Sequence, residues 1–441
     1  MREHFEKRDN HSTLPCFFIL SFSSVISLPS RMFGIQNISQ YMDYFRGPIP
    51  LSLAGVNSHA RDRGERHKKG VLGCSVTSDE CGVRRVVKAN SRDVACVELA
   101  QWWMERRRDY PLRIVAEFNG TKSSYDIPAW ERLSRRISKS KVEHTFDLNL
   151  VGIDSLERFA ELLKRSGVVN LDDCDLSTLE ALERLERLRT VELLYCRGAL
   201  DITFLATCAN LTTVSILFCH GVTAVEALGG LQSLVEVNLR GCDITSVDFL
   251  KNCTLLEYID VRLCENVTSL AGLSGLGKLK GVDAYHSGIE GIGDLTGCVA
   301  LESVDVSLCR NLTSLVGLTG LRKLKDVNAY NSGIQTIGDL AGCLALESIE
   351  VGYCKNLTSL SGLSGLGRLK SVDAYRSGIE SIEDLTGCVA LESVDVSYCE
   401  GLTSLDALNG LQTLRTVDAI GTGVPHGTTL KGCPALEKLI L

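Results

Sequence analysis

The stretch LESVDVSLCRNLTSL at residues 301–315 decides the fold, because it returns almost unchanged at a fixed interval. It reads LESIEVGYCKNLTSL at residues 346–360 and LESVDVSYCEGLTSL at residues 391–405, each time 45 residues further on. Self-similarity at a fixed period is typical of a solenoid, in which each unit buries its apolar face against its neighbours. Two cysteine series share the interval: Cys208, Cys253, Cys298, Cys343, Cys388 and Cys433, and Cys219, Cys264, Cys309, Cys354 and Cys399.

Each 45-residue unit contains two shorter repeats. The pattern LxxVxVxxC that begins at Leu301 is preceded, half a unit earlier, by LxxVxAxxS beginning at Leu279. Alternating apolar and polar side chains predict a strand with one buried face, and the Leu- and Gly-rich remainder supplies the crossover to the next parallel strand. We call the Cys or Ser position the ladder position. It recurs every 22 or 23 residues, at 151, 174, 196, 219, 242, 264, 287, 309, 332, 354, 377, 399 and 422.

This pattern resembles the short class of the leucine-rich repeat family, with Cys, Ser or Thr in place of the usual ladder asparagine. The resemblance implies an α/β repeat solenoid of about thirteen rungs. It implies an open horseshoe with a parallel β-sheet on the concave face and short turns or single-turn helices on the convex face. The near-identical tandem copies are further similar to leucine-rich repeat proteins of trypanosomatid parasites. Val151 departs from the ladder pattern in the first rung.

Charge and periodicity divide the chain, whose net charge is −7 over 441 residues. Residues 143–441 contain 23 basic and 39 acidic residues, whereas residues 1–142 contain 24 basic and 15 acidic ones. We predict a basic, disordered leader at residues 1–95, an N-terminal cap at 96–142 and the repeat array at 143–441. The leader could bind nucleic acid or an acidic membrane, although a solvated tail or a mis-chosen start is the preferred interpretation. Leu436, Leu439 and Leu441 begin a further strand, which predicts an uncapped edge open to self-association.

The cysteines favour a reduced compartment, the cytoplasm or the nucleus. In the second half of the array the ladder cysteines lie two rungs, about 9.6 Å, apart, beyond the reach of about 7 Å that a disulfide allows. From Cys174 to Cys264 they lie on adjacent rungs, where pairing stays open. A secreted protein is the alternative, supported by the apolar run at residues 14–29 and by Asn-x-Thr sequons at Asn210, Asn266, Asn311 and Asn356.

An acidic row is the main candidate for function. Four residues before each ladder position lie Asp147, Asn170, Glu192, Ser215, Asn238, Asp260, Asp283, Asp305, Asn328, Glu350, Asp373, Asp395 and Asp418. We expect these side chains to point outward from the concave face, one above the next. Like charges about 5 Å apart repel by roughly 1 to 3 kcal/mol, a cost that a basic ligand would relieve. The structural alternative is that the Asp and Asn side chains bond within the array.

Tyrosines accompany this row, and the residues around them vary between otherwise near-identical units. Because tyrosine offers a large rigid contact area with a polar tip, we expect a binding surface. The predicted partner-binding residues are Asp260, Asp283, Tyr285, His286, Asp305, Tyr330, Asn331, Glu350, Tyr353, Asp373, Tyr375, Arg376, Asp395, Tyr398 and Asp418.

No motif for catalysis, a cofactor or a metal is found, so we predict a non-catalytic scaffold that recognises a basic protein. Two alternatives stay open. One is the substrate-recognition subunit of a ubiquitin ligase, suggested by the resemblance to cysteine-containing repeats, although neither an F-box nor a RING pattern is found before Glu143. The other is a secreted or surface adhesion protein, which the apolar run and the sequons would serve.

Overall fold

The computed structural model describes residues 74–78, 85–90, 97–98, 100–101, 104, 111–120 and 125–441, apart from residues 199, 341, 384 and 386. Most of the predicted leader, including the apolar run, lies outside these residues. None of the helices in the described ranges has the length and the apolar character needed to cross a membrane.

One sheet of 17 strands runs through the described chain. β1 and β2 pair antiparallel, and every later neighbouring pair in the sheet is parallel. A separate parallel pair consists of β7 (Leu200–Asp201) and β9 (Val222–Thr223). The strands of the large sheet are β1 (Cys74–Ser78), β2 (Arg85–Asn90), β3 (Leu112–Asn119), β4 (Thr145–Val151), β5 (Val168–Asp172), β6 (Thr190–Leu194), β8 (Thr213–Leu217), β10 (Glu236–Asn238), β11 (Tyr258–Asp260), β12 (Gly281–Asp283), β13 (Ser303–Asp305), β14 (Asp326–Asn328), β15 (Ser348–Glu350), β16 (Ser371–Asp373), β17 (Ser393–Asp395), β18 (Thr416–Asp418) and β19 (Lys438–Ile440).

Helical segments in the crossovers are short, as the close spacing of the ladder positions requires. Two α-helices are present in the described residues from 111 onward, α1 (Ile127–Ser138) and α2 (Ala160–Leu163). Short 3₁₀ segments of three to six residues complete the crossovers of several rungs: Glu157–Phe159, Glu180–Leu182, Thr203–Thr207, Val225–Gly230, Asp248–Asn252, Ala271–Leu273, Val316–Leu318 and Asp406–Leu408. The predicted parallel sheet with short convex-side turns is therefore confirmed.

The ladder cysteines connect neighbouring rungs in the core. Leu301, Val304, Val306 and Cys309 of one rung are buried, as their pattern predicts. The Cys309 thiol donates a hydrogen bond to the carbonyl oxygen of Ala284 on the preceding rung, at 3.1 Å. The same bond repeats from Cys354 to Ala329 and from Cys399 to Ala374. Cysteine here acts both as a small apolar side chain and as a donor between rungs.

All 14 described cysteines of the array are free thiols, and 13 of them are buried. Burial raises the pKa of Cys253 to about 11 and that of Cys242 to about 12. Because the thiolate is the reactive form, we expect iodoacetamide at pH 8 to leave Cys242 and Cys253 unmodified in the folded protein. After denaturation without reductant, mass spectrometry should find all 14 cysteines alkylated. Stoichiometric disulfides would contradict the prediction of a reduced compartment.

The first rung differs from the prediction. Asn149, not Asp147, pairs in register with Asn170. Asp147 is only 2% exposed; its Oδ1 accepts a hydrogen bond from the Val168 amide and its other oxygen pairs with Arg113. The expectation that Asp147 points outward was therefore wrong. Its cause is an offset of two residues in β4, which is followed by a left-handed Gly152 with φ of +61°.

The sheet also extends further toward the N-terminus than the repeat pattern indicates. β1 and β2 lie inside the segment interpreted as a disordered leader, and β3 and α1 lie inside the predicted cap. Arg113 of β3 pairs with Thr145, and Val87 of β2 pairs with Ile114, so both steps along the chain are longer than the step between ladder positions. A search for the ladder period does not find these strands, because the crossover between β3 and β4 contains α1 and is longer than that period.

Candidate binding surface on the concave face

The acidic row consists of aligned residues on nine neighbouring strands. Strand pairing from β10 to β18 places each of its members directly opposite the next. We use the name for Asn238, Asp260, Asp283, Asp305, Asn328, Glu350, Asp373, Asp395 and Asp418. Side chains in register on a parallel sheet lie about 4.8 Å apart. The structure therefore brings together the seven acidic residues from Asp260 to Asp418 that the sequence predicted as partner-binding, whereas Asp147 of the predicted row is buried in the first rung.

Most members of the acidic row also close a turn within their own rung. Asp305 Oδ1 accepts a hydrogen bond from the Ser307 amide at 2.8 Å, and Asp373 Oδ1 accepts one from the Tyr375 amide at 2.9 Å. Asn238 and Asn328 make the same bond. Asp and Asn commonly form such turns, because their oxygen reaches the amide two residues on. One oxygen of each side chain thus has a structural task, for which an asparagine suffices.

A second row shows how this sheet neutralises charge elsewhere. Three residues before the acidic row, acidic and basic side chains alternate from rung to rung and pair with each other. Lys280 lies 2.6 Å from Glu257, Lys325 lies 2.7 Å from Glu302, and Lys370 lies 2.6 Å from Glu347. The acidic row has no such alternation. Among the described residues, Arg262 is the one basic side chain that forms ion pairs with it, to Asp260 and Asp283.

Burial, with a smaller effect of neighbouring carboxylates, raises the pKa of several members of the row. Burial, reinforced by Asp260 and Asp305, raises the pKa of Asp283 to about 6, although Arg262 opposes the shift. Burial also raises the pKa of Asp373, with Asp395 adding to the effect, and the pKa of Glu350, with Asp373 adding to it. These carboxylates are less stable in their charged form than they would be in water.

Replacing Asp283 with Asn should therefore stabilise the protein at neutral pH. The folded protein binds the proton of Asp283 more tightly than the unfolded chain does, since the pKa is about 6 in the folded state and 3.8 in the unfolded state. The protonated carboxyl therefore contributes stability that is fully present below pH 3.8 and is lost as the pH rises through 6. Because the side chain is 31% exposed, we expect a gain in the free energy of unfolding of about 1 kcal/mol at pH 7.5.

Denaturant titrations of parent and Asp283→Asn proteins at pH 7.5 and pH 3.5 measure this gain, which should vanish at the lower pH. Asp294→Asn is the control, because hydrogen bonds from Thr296 hold the pKa of Asp294 below its usual value. Equal stability of parent and Asp283→Asn at pH 7.5 would show that keeping Asp283 charged in its buried position costs nothing, and would contradict its raised pKa.

A tyrosine platform, Tyr330, Tyr353, Tyr375 and Tyr398, lies beside the acidic row on four adjacent rungs. The ring centroids follow each other at 5.3, 5.4 and 5.7 Å. The end rings of Tyr330 and Tyr398 are 37% and 42% exposed. The Arg376 guanidinium lies 5.8, 5.4 and 4.9 Å from the ring centroids of Tyr353, Tyr375 and Tyr398, within cation–π distance.

The predicted residues Tyr285 and His286 lie apart from this platform. Their rings approach each other at 6.2 Å, and Ser307 and Leu308 occupy the intervening rung. Asn331 has a left-handed backbone at the rung of Tyr330, as His286 and Arg376 have at theirs. The predicted site residues therefore divide into one continuous acidic row, one platform and one separate pair.

Sequence reasoning missed an aromatic group nearer the N-terminus. Tyr195 stacks on Phe218 at 5.3 Å, and the Arg240 guanidinium lies 5.2 Å from the Phe218 ring centroid. It also missed Arg262. The repeat alignment could have revealed both arginines. Arg240 and Arg262 lie two residues after members of the acidic row, where most later rungs have tyrosine or serine. Within the described ranges, no group of His, Cys, Asp and Glu side chains could hold a metal ion.

No protein-family model and no curated protein matches the chain. Solved structures do. A leucine-rich repeat protein of Leptospira interrogans is 13% identical with a TM-score of 0.51, over 72% of this chain and 86% of that one. The Drosophila Toll–Spätzle complex gives 13% identity and a TM-score of 0.53 over 76% of this chain, which spans about half (46%) of the matched chain. An internalin of Listeria monocytogenes is 22% identical with a TM-score of 0.47, over 60% and 76% of the two chains.

The two likenesses with TM-scores above 0.5, together with the long parallel sheet and its short crossovers, confirm the predicted α/β repeat solenoid. The narrower resemblance to trypanosomatid proteins stays a prediction.

Proposed function

We propose that this leucine-rich repeat solenoid is a non-catalytic protein-binding module that recognises a basic protein on its concave face. The observation that carries the proposal is the contrast between two rows of one sheet. The row that begins at Glu257 pairs its charges from rung to rung, whereas the acidic row leaves its charges uncompensated beyond Arg262. Basic groups of a partner would supply the missing compensation.

The extent of the surface supports a protein-sized partner. Asp260 and Asp418 lie seven strand steps apart in the sheet order, or about 34 Å at about 4.8 Å per step. A standard interface buries about 800 Å² on each partner, which a strip of this length with the adjoining platform can supply. Exposed tyrosines beside charged groups are typical of the residues that dominate binding energy.

The two alternative functions lead to different partners and compartments. A ubiquitin-ligase subunit would co-purify with other ligase subunits. A secreted adhesion protein would bear glycans on Asn266, Asn311 and Asn356, which are exposed at equivalent places of successive units. We place the protein in the cytoplasm or nucleus, because the buried free thiols of the array suit a reducing compartment. Nucleic acid or an acidic membrane bound by the leader is a lesser proposal.

Affinity capture from the source cells, with two matched variants, tests the proposal. The row variant changes Asp283, Asp305, Asp373 and Asp395 to Asn, which keeps the turn-closing oxygen, as Asn238 and Asn328 show. The convex variant removes equal charge from exposed residues in or beside the crossover turns: Glu180→Gln and Asp248, Asp294 and Asp406→Asn. We expect basic proteins captured by the parent and by the convex variant to be absent from the row variant.

Partners that the row variant retains would overturn the proposal and move the function to another surface. Ligase subunits captured equally by all three proteins would favour the ubiquitin-ligase alternative. A shift in mobility after glycosidase treatment of the purified protein would favour the adhesion alternative.

A further inference from the structure

We propose that the ligand of the concave face is an extended, proline-rich segment in the polyproline II conformation, with an arginine or lysine at every third position. This inference rests on the proposed function and adds the shape and the residue spacing of the partner segment. It follows from the direction of the two rows, from their spacing and from the use that the molecule already makes of Arg376.

The acidic row and the tyrosine platform run side by side across the strands. Tyr330 and Tyr375 lie two residues after row members, and Tyr353 and Tyr398 lie three residues after row members. At Gly352 the rows meet closely, since a Cβ there would lie 3.2 Å from the Tyr330 ring and 3.4 Å from Asp373 Oδ1. A ligand that runs along the solenoid can therefore contact both rows over several rungs.

The rung spacing favours one ligand conformation. Two rungs measure about 9.6 Å. A polyproline II helix has three residues per turn and rises about 9.3 Å per turn, so one face of it meets every second rung. An α-helix repeats a face after seven residues, at about 10.5 Å. A β-strand repeats its faces at about 6.7 Å, between one rung and two. Over two rungs the polyproline II repeat therefore drifts by about 0.3 Å and the α-helical repeat by about 0.9 Å, so polyproline II stays closest to register along the solenoid.

Arg376 indicates which ligand side chain belongs on which row. Its guanidinium already lies near three rings of the platform and forms no ion pair with the acidic row in the described structure, while its Nη1 lies 3.4 Å from the Tyr353 hydroxyl. Lys355 Nζ also lies 5.8 Å from the Tyr353 ring centroid, so a further cation on the platform would be repelled by both side chains. The ligand's basic side chains are thus directed to row members on every second rung, such as Asp305, Glu350 and Asp395, and the exposed tyrosine surface is left for uncharged rings. Proline rings pack well on tyrosine, and their fixed backbone costs little entropy on binding.

Two peptides of one composition test the inference by fluorescence anisotropy. The first is four repeats of Pro-Pro-Arg, about 37 Å long as a polyproline II helix. The second contains the same residues, but its four arginines form two adjacent pairs. Its charge and proline content are therefore equal to those of the first, and arginine no longer recurs at every third position. We expect the parent protein to bind the periodic peptide about tenfold more tightly, at low salt and with Arg376 in place.

Matched variants separate the two rows. Tyr353→Leu with Tyr398→Leu uses the residue that Leu308 places at the equivalent position, so the fold is retained and thermal unfolding checks it. This variant should bind the periodic peptide about tenfold more weakly and the shuffled peptide unchanged. The Asp-to-Asn row variant should lose affinity for both peptides.

Equal affinity for the two peptides, with no effect of the tyrosine substitutions, would overturn the inferred ligand shape. If the row variant still weakened both peptides, the proposed function would stand. Absence of binding by either peptide would also overturn this inference, and capture of a basic globular protein by the parent would then identify a partner of different shape.

Discussion

Replacing Gly333 with alanine should lower the free energy of unfolding by about 3 kcal/mol, enough to move the thermal midpoint by several degrees. A Cβ at this position would lie 2.0 Å from the carbonyl oxygen of Arg310 on the preceding rung and 3.0 Å from that of Leu312. The Gly333 amide donates to the Cys309 carbonyl at 3.1 Å, which holds the backbone in place. Relief would require separating two rungs of the sheet.

Gly291→Ala is the control for this effect. No atom lies within 4 Å of a Cβ built on Gly291, and the next two units have Thr336 and Ser381 at the equivalent position. Its stability should change by less than about 0.5 kcal/mol. Thermal unfolding followed by circular dichroism compares the three proteins. Equal midpoints for Gly333→Ala and the parent would mean that the rungs are less closely packed than the structure has them.

The second large effect concerns binding. Changing Asp283, Asp305, Asp373 and Asp395 to Asn should lower the affinity for a basic partner about a hundredfold. Each exposed charge pair about 5 Å apart is worth roughly 0.8 kcal/mol in water, and four such losses amount to about 3 kcal/mol. Salt should reduce the difference between parent and variant, since it screens exposed pairs.

The same variant should not be less stable than the parent. Asparagine oxygens keep the turns that Asp305 and Asp373 close, and Asp283→Asn removes a buried charge whose cost raises the pKa of that carboxyl to about 6. The matching Ala variant loses these turn bonds and should be destabilised by about 1 kcal/mol for each. A row variant that unfolds like the Ala variant would show that the carboxylates are required for the fold, and the binding proposal would fail.

The buried positions of each rung were predictable, because in a solenoid the same positions of every repeat face the core. Leu301, Val304, Val306 and Cys309 occupy the buried positions that their spacing predicted. The first rung was not predictable from the frame, since Gly152 provides the left-handed residue that non-glycine residues such as His286 and Leu308 provide later. The extra strands β1 to β3 lack the period altogether.

The doubling of the repeat has a steric cause that the sequence alone did not show. In the rungs with serine at the ladder position, the next residue is Gly288, Gly333 or Gly378. A Cβ at any of these glycines would lie 2.0 to 2.2 Å from a carbonyl oxygen of the preceding rung. The Cys-type rungs have Arg310 and Lys355 there. Two rungs of different shape must therefore alternate, which accounts for the 45-residue unit.

The acidic row was predictable in position, but its chemical setting required the structure. The interpretation as a binding surface and the interpretation as structural side chains proved compatible. One oxygen of Asp305 or Asp373 closes a turn, while the charge of the carboxylate stays uncompensated. The compensated row with Lys280 and Glu257 is what makes this contrast meaningful, and pairing between neighbouring rungs is visible only once the register is known. Arg376 was predicted as a contact residue, but its place near three tyrosine rings was not.

The most direct test of the central claim is a calorimetric titration of the captured basic protein into the parent, the row variant and the convex variant, at low and at physiological salt. We predict that the parent and the convex variant bind with equal affinity, and that the row variant binds about a hundredfold more weakly at low salt without loss of thermal stability. Equal affinity of all three folded proteins would contradict the account and leave the acidic row as a structural feature of the turns.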